Sequence, residues 1–410
     1  MFMKIKVWKF LGLILIMVFA LSASNAVHAA VTQLAIPPTI PVGNSPEWVA
    51  YDSGKGEIFV PNNGDGTVSV ISDSTNAVVA TVTVGQYPVG VAYDSNLGEV
   101  FVTNSGANSV SVISDSTNQV VATIPVGSGP EGAAYDLSKG EIFIANTNYN
   151  AGPTAGTVSV ISDSTNAVVA TINVGEGPLG VAYDSAKGEI FVSNEESSGN
   201  TISVISDSTN KVVATVNGGS APEGLTYDSA KGEIFIANYD SASVSVLSDK
   251  NNDIVATVAL SGYSGDPTGL AYDPAKGEIF ETSSAGASVF VISDSNNAVV
   301  ATAPLVQLPI GGESFGPLPL GIAYDSKVGE LFIADSGSNT VSYLSDSAST
   351  SASASPTSST SAAPTPTVPE FSSAALISIA AAMVVVTAGA VVVTTRTKNN
   401  SKSKHIQNYK

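Results

Sequence analysis

Tyr93-Asp-Ser-Asn-Leu-Gly-Glu-Val-Phe-Val-Thr-Asn104 is the stretch on which the reading of the fold turns. An aromatic–acid pair ends one apolar run, a polar turn with a glycine follows, and Gly-Glu opens a second run centred on Phe. The same order recurs at Tyr51, Tyr93, Tyr135, Tyr183, Tyr227, Tyr272 and Tyr324, at intervals of 42 to 52 residues. Four short apolar runs per interval are the mark of a propeller blade. A blade cannot cover both of its own faces, so the copies must stack into one body.

In the second copy the runs are Val89–Asp94, Glu99–Thr103, Val110–Ile113 and Val120–Val126. They are rich in Val and Ile, too short for helices, and separated by Asp, Ser, Asn and Gly, which predicts antiparallel strands a, b, c and d. The D-S-x-x-G-E joint supplies an Asp to start a turn and a Gly that can take positive φ. In the S-D-S joints Asp73, Asp115, Asp163, Asp207 and Asp294 are likewise expected to form turns. The last copy has strands at Leu320–Asp325, Glu330–Ala334 and Thr340–Leu344, then runs into Ser-rich sequence without a fourth. The missing strand stands at the other end. Thr39-Ile-Pro-Val-Gly43 followed by Asn-Ser-Pro46-Glu47 matches Thr123-Ile-Pro-Val-Gly127 followed by Ser-Gly-Pro130-Glu131. The sequence therefore predicts an all-β, seven-bladed propeller whose N-terminal strand completes the last blade and removes two exposed edges. Pro41 and Pro125 suit an outermost strand, where no inward amide is needed.

The ends of the 410-residue chain read differently. Residues 1–29 combine Lys4, Lys6 and Lys9, an apolar run Leu11–Leu21 and small residues at Val27 and Ala29, the order of a secretory signal. Residues 30–346 are the propeller, and 347–370 form a Ser/Thr/Ala/Pro-rich stalk with no strand pattern. Residues 371–395 hold the uncharged run Ala374–Val393, long enough for a transmembrane helix, and 396–410 are a basic tail. By the positive-inside rule that tail is cytoplasmic and the ring lies outside, anchored at the cell surface in the cytoplasmic membrane.

The copies resemble the YVTN-type β-propeller repeat of archaeal surface-layer and other exported proteins. The motif stands here as Val100-Phe-Val-Thr-Asn104, with variants Ile58–Asn62, Ile142–Asn146, Ile190–Asn194 and Ile234–Asn238. Blade six departs with Ile279-Phe-Glu-Thr-Ser283, and blade seven ends in Asp335. Pro369-Glu370-Phe371 ahead of the apolar span is similar to the PEF-type sorting tails of archaea. That likeness implies recognition by a membrane transpeptidase; a permanent anchor is the plain alternative. The repeat implies a fold rather than an activity, because propellers host many.

Between the two apolar segments lie 35 acidic residues against eight lysines and no arginine, a net charge of −27. Such a body repels nucleic acid and anionic lipid and attracts cations or basic partners. His28 and His405 are the two histidines, and cysteine is absent. A ring without His, Cys or Arg excludes a Ser-His-Asp triad, a thiol nucleophile, a histidine-held zinc and an arginine phosphate clamp.

All length variation falls in the b–c and d–a loops, which share one face: Thr147–Gly156, Glu195–Asn200, Leu260–Asp266 and Pro304–Pro319. Variation confined to one face points to binding there, with Tyr149, Tyr263 and Phe315 as aromatic anchors. Glu47, Glu131 and Glu223 precede inner strands on that face and should ring the channel mouth. They would suit Ca²⁺ if any cofactor is held, or stand as solvated charges. The leading expectation is an envelope module, non-enzymatic, binding proteins or glycans in a surface layer or in adhesion. The alternative is a metal-assisted hydrolase or lyase using those carboxylates.

Overall fold

The computed structural model describes residues 32–33, 37–148, 156–195, 200–260, 265–305 and 317–346. The chain divides into two units, Met1–Ser353 and Ala354–Lys410, and every described residue belongs to the first. The expected signal, stalk, helix, tail and Pro369-Glu370-Phe371 motif lie outside the described residues. Among the described residues no helix is long and apolar enough to cross a membrane.

Seven sheets form, one for each Tyr-Asp copy. The second holds strands a to d at Pro88–Asp94, Glu99–Asn104, Ser109–Ser114 and Gln119–Pro125, hydrogen-bonded in chain order. Strands b and c are buried on both faces because a neighbouring blade covers each side. Phe101, Val110 and Val112 of blade two meet Ile142, Ile144 and Ile161 of blade three in one cluster. Each core thus belongs to two blades, and no blade owns one.

The ring closes as the sequence predicts. Thr39–Pro41 pairs antiparallel with strand c of blade seven, Ile40 opposite Val341. Ile40 is 4 % exposed and packs with Val49, Ile58, Phe332 and Val341. The Ser45 amide donates to Asn339 Oδ1 at 2.9 Å, tying the first loop to the last. One element was not foreseen: Thr32–Gln33 adds to blade six as a fifth, parallel strand, opposite Ala301 and Thr302.

The Tyr-Asp pair works between blades. Asp94 is fully buried, and its Oδ1 accepts the amides of Asn96 (2.8 Å) and Leu97 (3.3 Å), which sets the a–b turn. The Tyr135 hydroxyl of the next blade faces that carboxylate; burial and then this anion push the phenol above its ordinary range. Tyr51 meets Asp325 in the same way and closes the circle. Gly98 takes φ 66°, and a Cβ there would lie 2.6 Å from Asp115 Oδ2. The S-D-S aspartates do more than form turns. Asp73 and Asp294 also accept ion pairs from the preceding blade, from Lys327 at 3.2 Å and Lys231 at 3.5 Å.

The closing strand rests on one deeply buried side chain. Ile40→Ala should cost about 2–4 kcal/mol. Hydrogen exchange should then accelerate first in blades seven and one, while the blades opposite keep their protection.

Candidate functional site

The b–c and d–a loops do share a face, and the channel opens there between the inner strands. Glu131 and Glu223 are the second residues of strands Pro130–Asp136 and Pro222–Asp228; Glu47 follows Pro46, which bridges to Asn62. The strands crowd so closely that their third position must lack a side chain in most blades. A Cβ at Gly90 would lie 2.0 Å from the Glu131 carbonyl, and one at Gly180 2.2 Å from that of Glu223. A hydroxyl then locks each junction. Thr103 Oγ1 accepts the Gly90 amide and donates to the Glu131 carbonyl, both at 2.7 Å. Ser193 Oγ accepts from Gly180 at 2.8 Å and donates to the Glu223 carbonyl at 2.6 Å. For Glu47 the Gly321 amide does this directly at 2.9 Å.

The three carboxylates therefore hang from fixed backbone around one opening. Burial raises Glu47 to about 7, with Glu131 adding repulsion. Glu131 rises to about 7 through burial, which the 3.0 Å hydrogen bond from Ser105 only partly offsets. Glu223 reaches about 8 through burial, then the charges of Glu195, Asp266, Asp240 and Glu47. The sequence reading had not singled out Glu195, Asp240 or Asp266. Cations are kept from this face. All eight lysines of residues 30–346 fall in the a–b or c–d turns or at the start of a d strand, on the opposite face. Among the described residues no group of three or more acidic side chains is placed to hold a metal ion.

Below the mouth, Trp48 replaces the glycine of the other blades and lines a cavity of about 50 Å³ with Gly90, Gly132, Gly180 and Leu225. That holds a few waters and falls well short of a small-molecule pocket. Tyr149, Tyr263 and Phe315 lie outside the described residues. A described aromatic on the same face was missed. Tyr87 is 58 % exposed, lines a groove of about 520 Å³ with Asn63, Asp65 and Ala107, and takes φ 51°. Its counterparts are Ser45, Gly129, Gly177 and Ala221 in the other short d–a loops, and Asp266 and Leu318 in the long ones. The readable signal was a Tyr where the other short loops carry Ser, Gly or Ala.

The motif asparagines bond across to strand c, Asn62, Asn146 and Asn194 donating to Ser69, Ser159 and Ser203, and in blade two the residue is also a loop clamp. Asn104 Nδ2 donates to Ser111 Oγ at 3.0 Å, and its Oδ1 accepts the Gly85 amide at 2.9 Å, pinning the short loop that enters blade two. The loops entering blades six and seven are the long ones, and there Ser283 and Asp335 stand in its place. Asp335 accepts from Ser342 at 2.6 Å but is nearly fully buried, which raises it to about 7. Glu281 breaks the pattern further. It takes the position of Val102 and Ile144, opposite Leu270 and Phe290. It is fully buried with no cation or side-chain donor on either oxygen, and burial, which the Thr268 backbone only partly offsets, pushes its carboxyl well above the ordinary range.

The class defined by this geometry is the seven-bladed β-propeller, and solved structures share it. Hydrazine synthase of Kuenenia stuttgartiensis superposes with a TM-score of 0.65 at 17 % identity, over 74 % of this chain and 96 % of its own. The β-propeller domain of Cps50 (Swd1) from Myceliophteria thermophila gives 0.60 at 9 % identity, over 76 % and 99 %. At such identities the likeness is one of fold alone. No protein-family model and no curated protein matches the chain.

These raised carboxyls fix the sign of the pH dependence. The folded ring holds more protons at Glu47, Glu131, Glu223, Glu281 and Asp335 than the unfolded chain, so their contribution is complete below the unfolded value of 4.5 (3.8 for Asp335). It fades as pH rises through 7 to 8 at the mouth and Asp335. The melting temperature should be higher at about pH 5 than at about pH 8.5. Glu281→Leu should raise it and flatten the slope; a scan with the opposite slope would overturn the assignment.

Proposed function

We propose that the ring is a binding and structural module of the cell envelope, taking cationic protein or amino-glycan partners at the channel mouth. It would be exported by residues 1–29 and tethered outside the membrane through 347–370 and 371–395, as in the YVTN-type surface proteins it resembles. Pro369-Glu370-Phe371 would then be available to a sorting transpeptidase. The chain leaves the described ring after Asp346, at the c–d turn position of blade seven, on the face opposite the mouth. A tether attached there leaves the mouth free.

One observation carries this reading: the face with every variable loop is also the face with no lysine, and three glutamates converge on its opening. Uncompensated carboxylates in a partly desolvated mouth favour a cation and discriminate against anions. Tyr87 adds an aromatic held in left-handed backbone, its ring resting on Gly106 and more than half of the residue open to solvent.

The test uses an oligolysine peptide and an amino-sugar oligomer as probes, with a neutral glycan as control. Affinity for the cationic probes should fall with salt. It should rise as pH passes through 7 to 8, where the mouth carboxyls lose their protons. Glu47→Gln, Glu131→Gln and Glu223→Gln together should weaken binding by at least about tenfold, and Tyr87→Gly should weaken it without loss of stability. Binding indifferent to all four changes, or preference for the neutral glycan, overturns the reading.

A further inference from the structure

We propose that copies of this chain associate side by side through the outer strands of blades one to five. The surface involved is separate from the mouth and does not depend on what binds there. Strands Ala77–Thr83, Gln119–Pro125, Ala167–Asn173, Lys211–Asn217 and Asp253–Ala259 form the rim, and each leaves its outer edge unpaired.

Three observations select a second copy as the occupant. The first is apolar exposure at a repeated point. In each of these strands the register against strand c skips one valine, and the bulge turns it outward. Val79, Val121, Val169, Val213 and Val255 are 52–55 % exposed as a result. The second is charge. Both broad faces of the ring are net negative and would repel a like molecule, whereas these five strands carry one lysine, Lys211, and one acid, Asp253. No lysine or proline stands at the centre of these edges, and the bulge is the one guard each strand carries.

The third is a strand already seated on such an edge. Thr32–Gln33 pairs parallel with the outer strand of blade six, and the equivalent valine there, Val300, is 36 % exposed. The edge chemistry thus accepts an added strand, and the chain itself covers the place next to its closure. Every d strand runs from the a–b face to the mouth face. Two copies whose ring axes point the same way present these strands in parallel, the sense in which Thr32–Gln33 pairs.

The cysteine-free chain allows a direct test on the full-length protein in detergent micelles. Val121→Cys, with one thiol per chain, should crosslink into dimers with a short bis-maleimide, and Tyr87→Cys on the mouth face should not. In sedimentation velocity the wild-type protein should show concentration-dependent association. Val79→Lys, Val121→Lys and Val169→Lys together should weaken it by more than about tenfold, with the melting temperature unchanged. If that variant fails to fold, the crosslinking pair still decides. A wild-type protein that stays monomeric at all concentrations, or crosslinks through position 87 rather than 121, overturns the proposal. Loss of association on removing the mouth glutamates instead would place the contact on the other face and equally overturn it.

Discussion

A blade of this ring has two apolar faces and no means of covering either, so each core is shared between neighbours and the set is complete only as a circle. Burial of b and c strands on both sides, the seven shared clusters and the strand Thr39–Pro41 all express that one requirement. The polar residues obey it too. The Tyr hydroxyl of one blade faces the turn Asp of the blade before, and Lys327 reaches Asp73 across the closure. The repeated motif is a set of fastenings between blades as much as a recipe for one.

Closure by crowding determines what the channel can be. Inner strands approach until a glycine is needed at their crossing, and Thr103 or Ser193 then bonds both backbones at once. That leaves little void on the axis and puts chemistry at the mouth, where side chains have room. The mouth is acidic by partition: the lysines serve the opposite turns, four of them in ion pairs between blades. An anionic face, an apolar rim and a mixed-charge face follow from where the repeat spends its residues.

Departures from the repeat have separate physical causes. Asn gives way at Ser283 and Asp335 where the loop it would clamp is long. Trp48 stands where the other blades have a glycine, and there blade one begins with a bridge and the short strand Ala50–Asp52 in place of a full inner strand. Tyr87 and Glu281 are less easily explained: one rests on Gly106 in left-handed backbone with most of its surface exposed, the other is buried with no cation beside it.

The sequence by itself determined the blade count, the strand limits to within about a residue, the closing strand and the face that carries the variable loops. These are local or periodic properties, and a repeat states them seven times. It also placed Glu47, Glu131 and Glu223 at the opening, because position within a strand fixes height along the axis. Tertiary structure decided what depends on distance across the ring. It showed that burial raises all three glutamates, that Glu131 adds to the rise of Glu47, and that Glu195, Asp266, Asp240 and Glu47 add to that of Glu223. It alone showed Thr32–Gln33 capping blade six, since two residues carry no periodicity to read. Field and burial sum over neighbours that the chain brings together from hundreds of residues apart, and no local pattern encodes that sum.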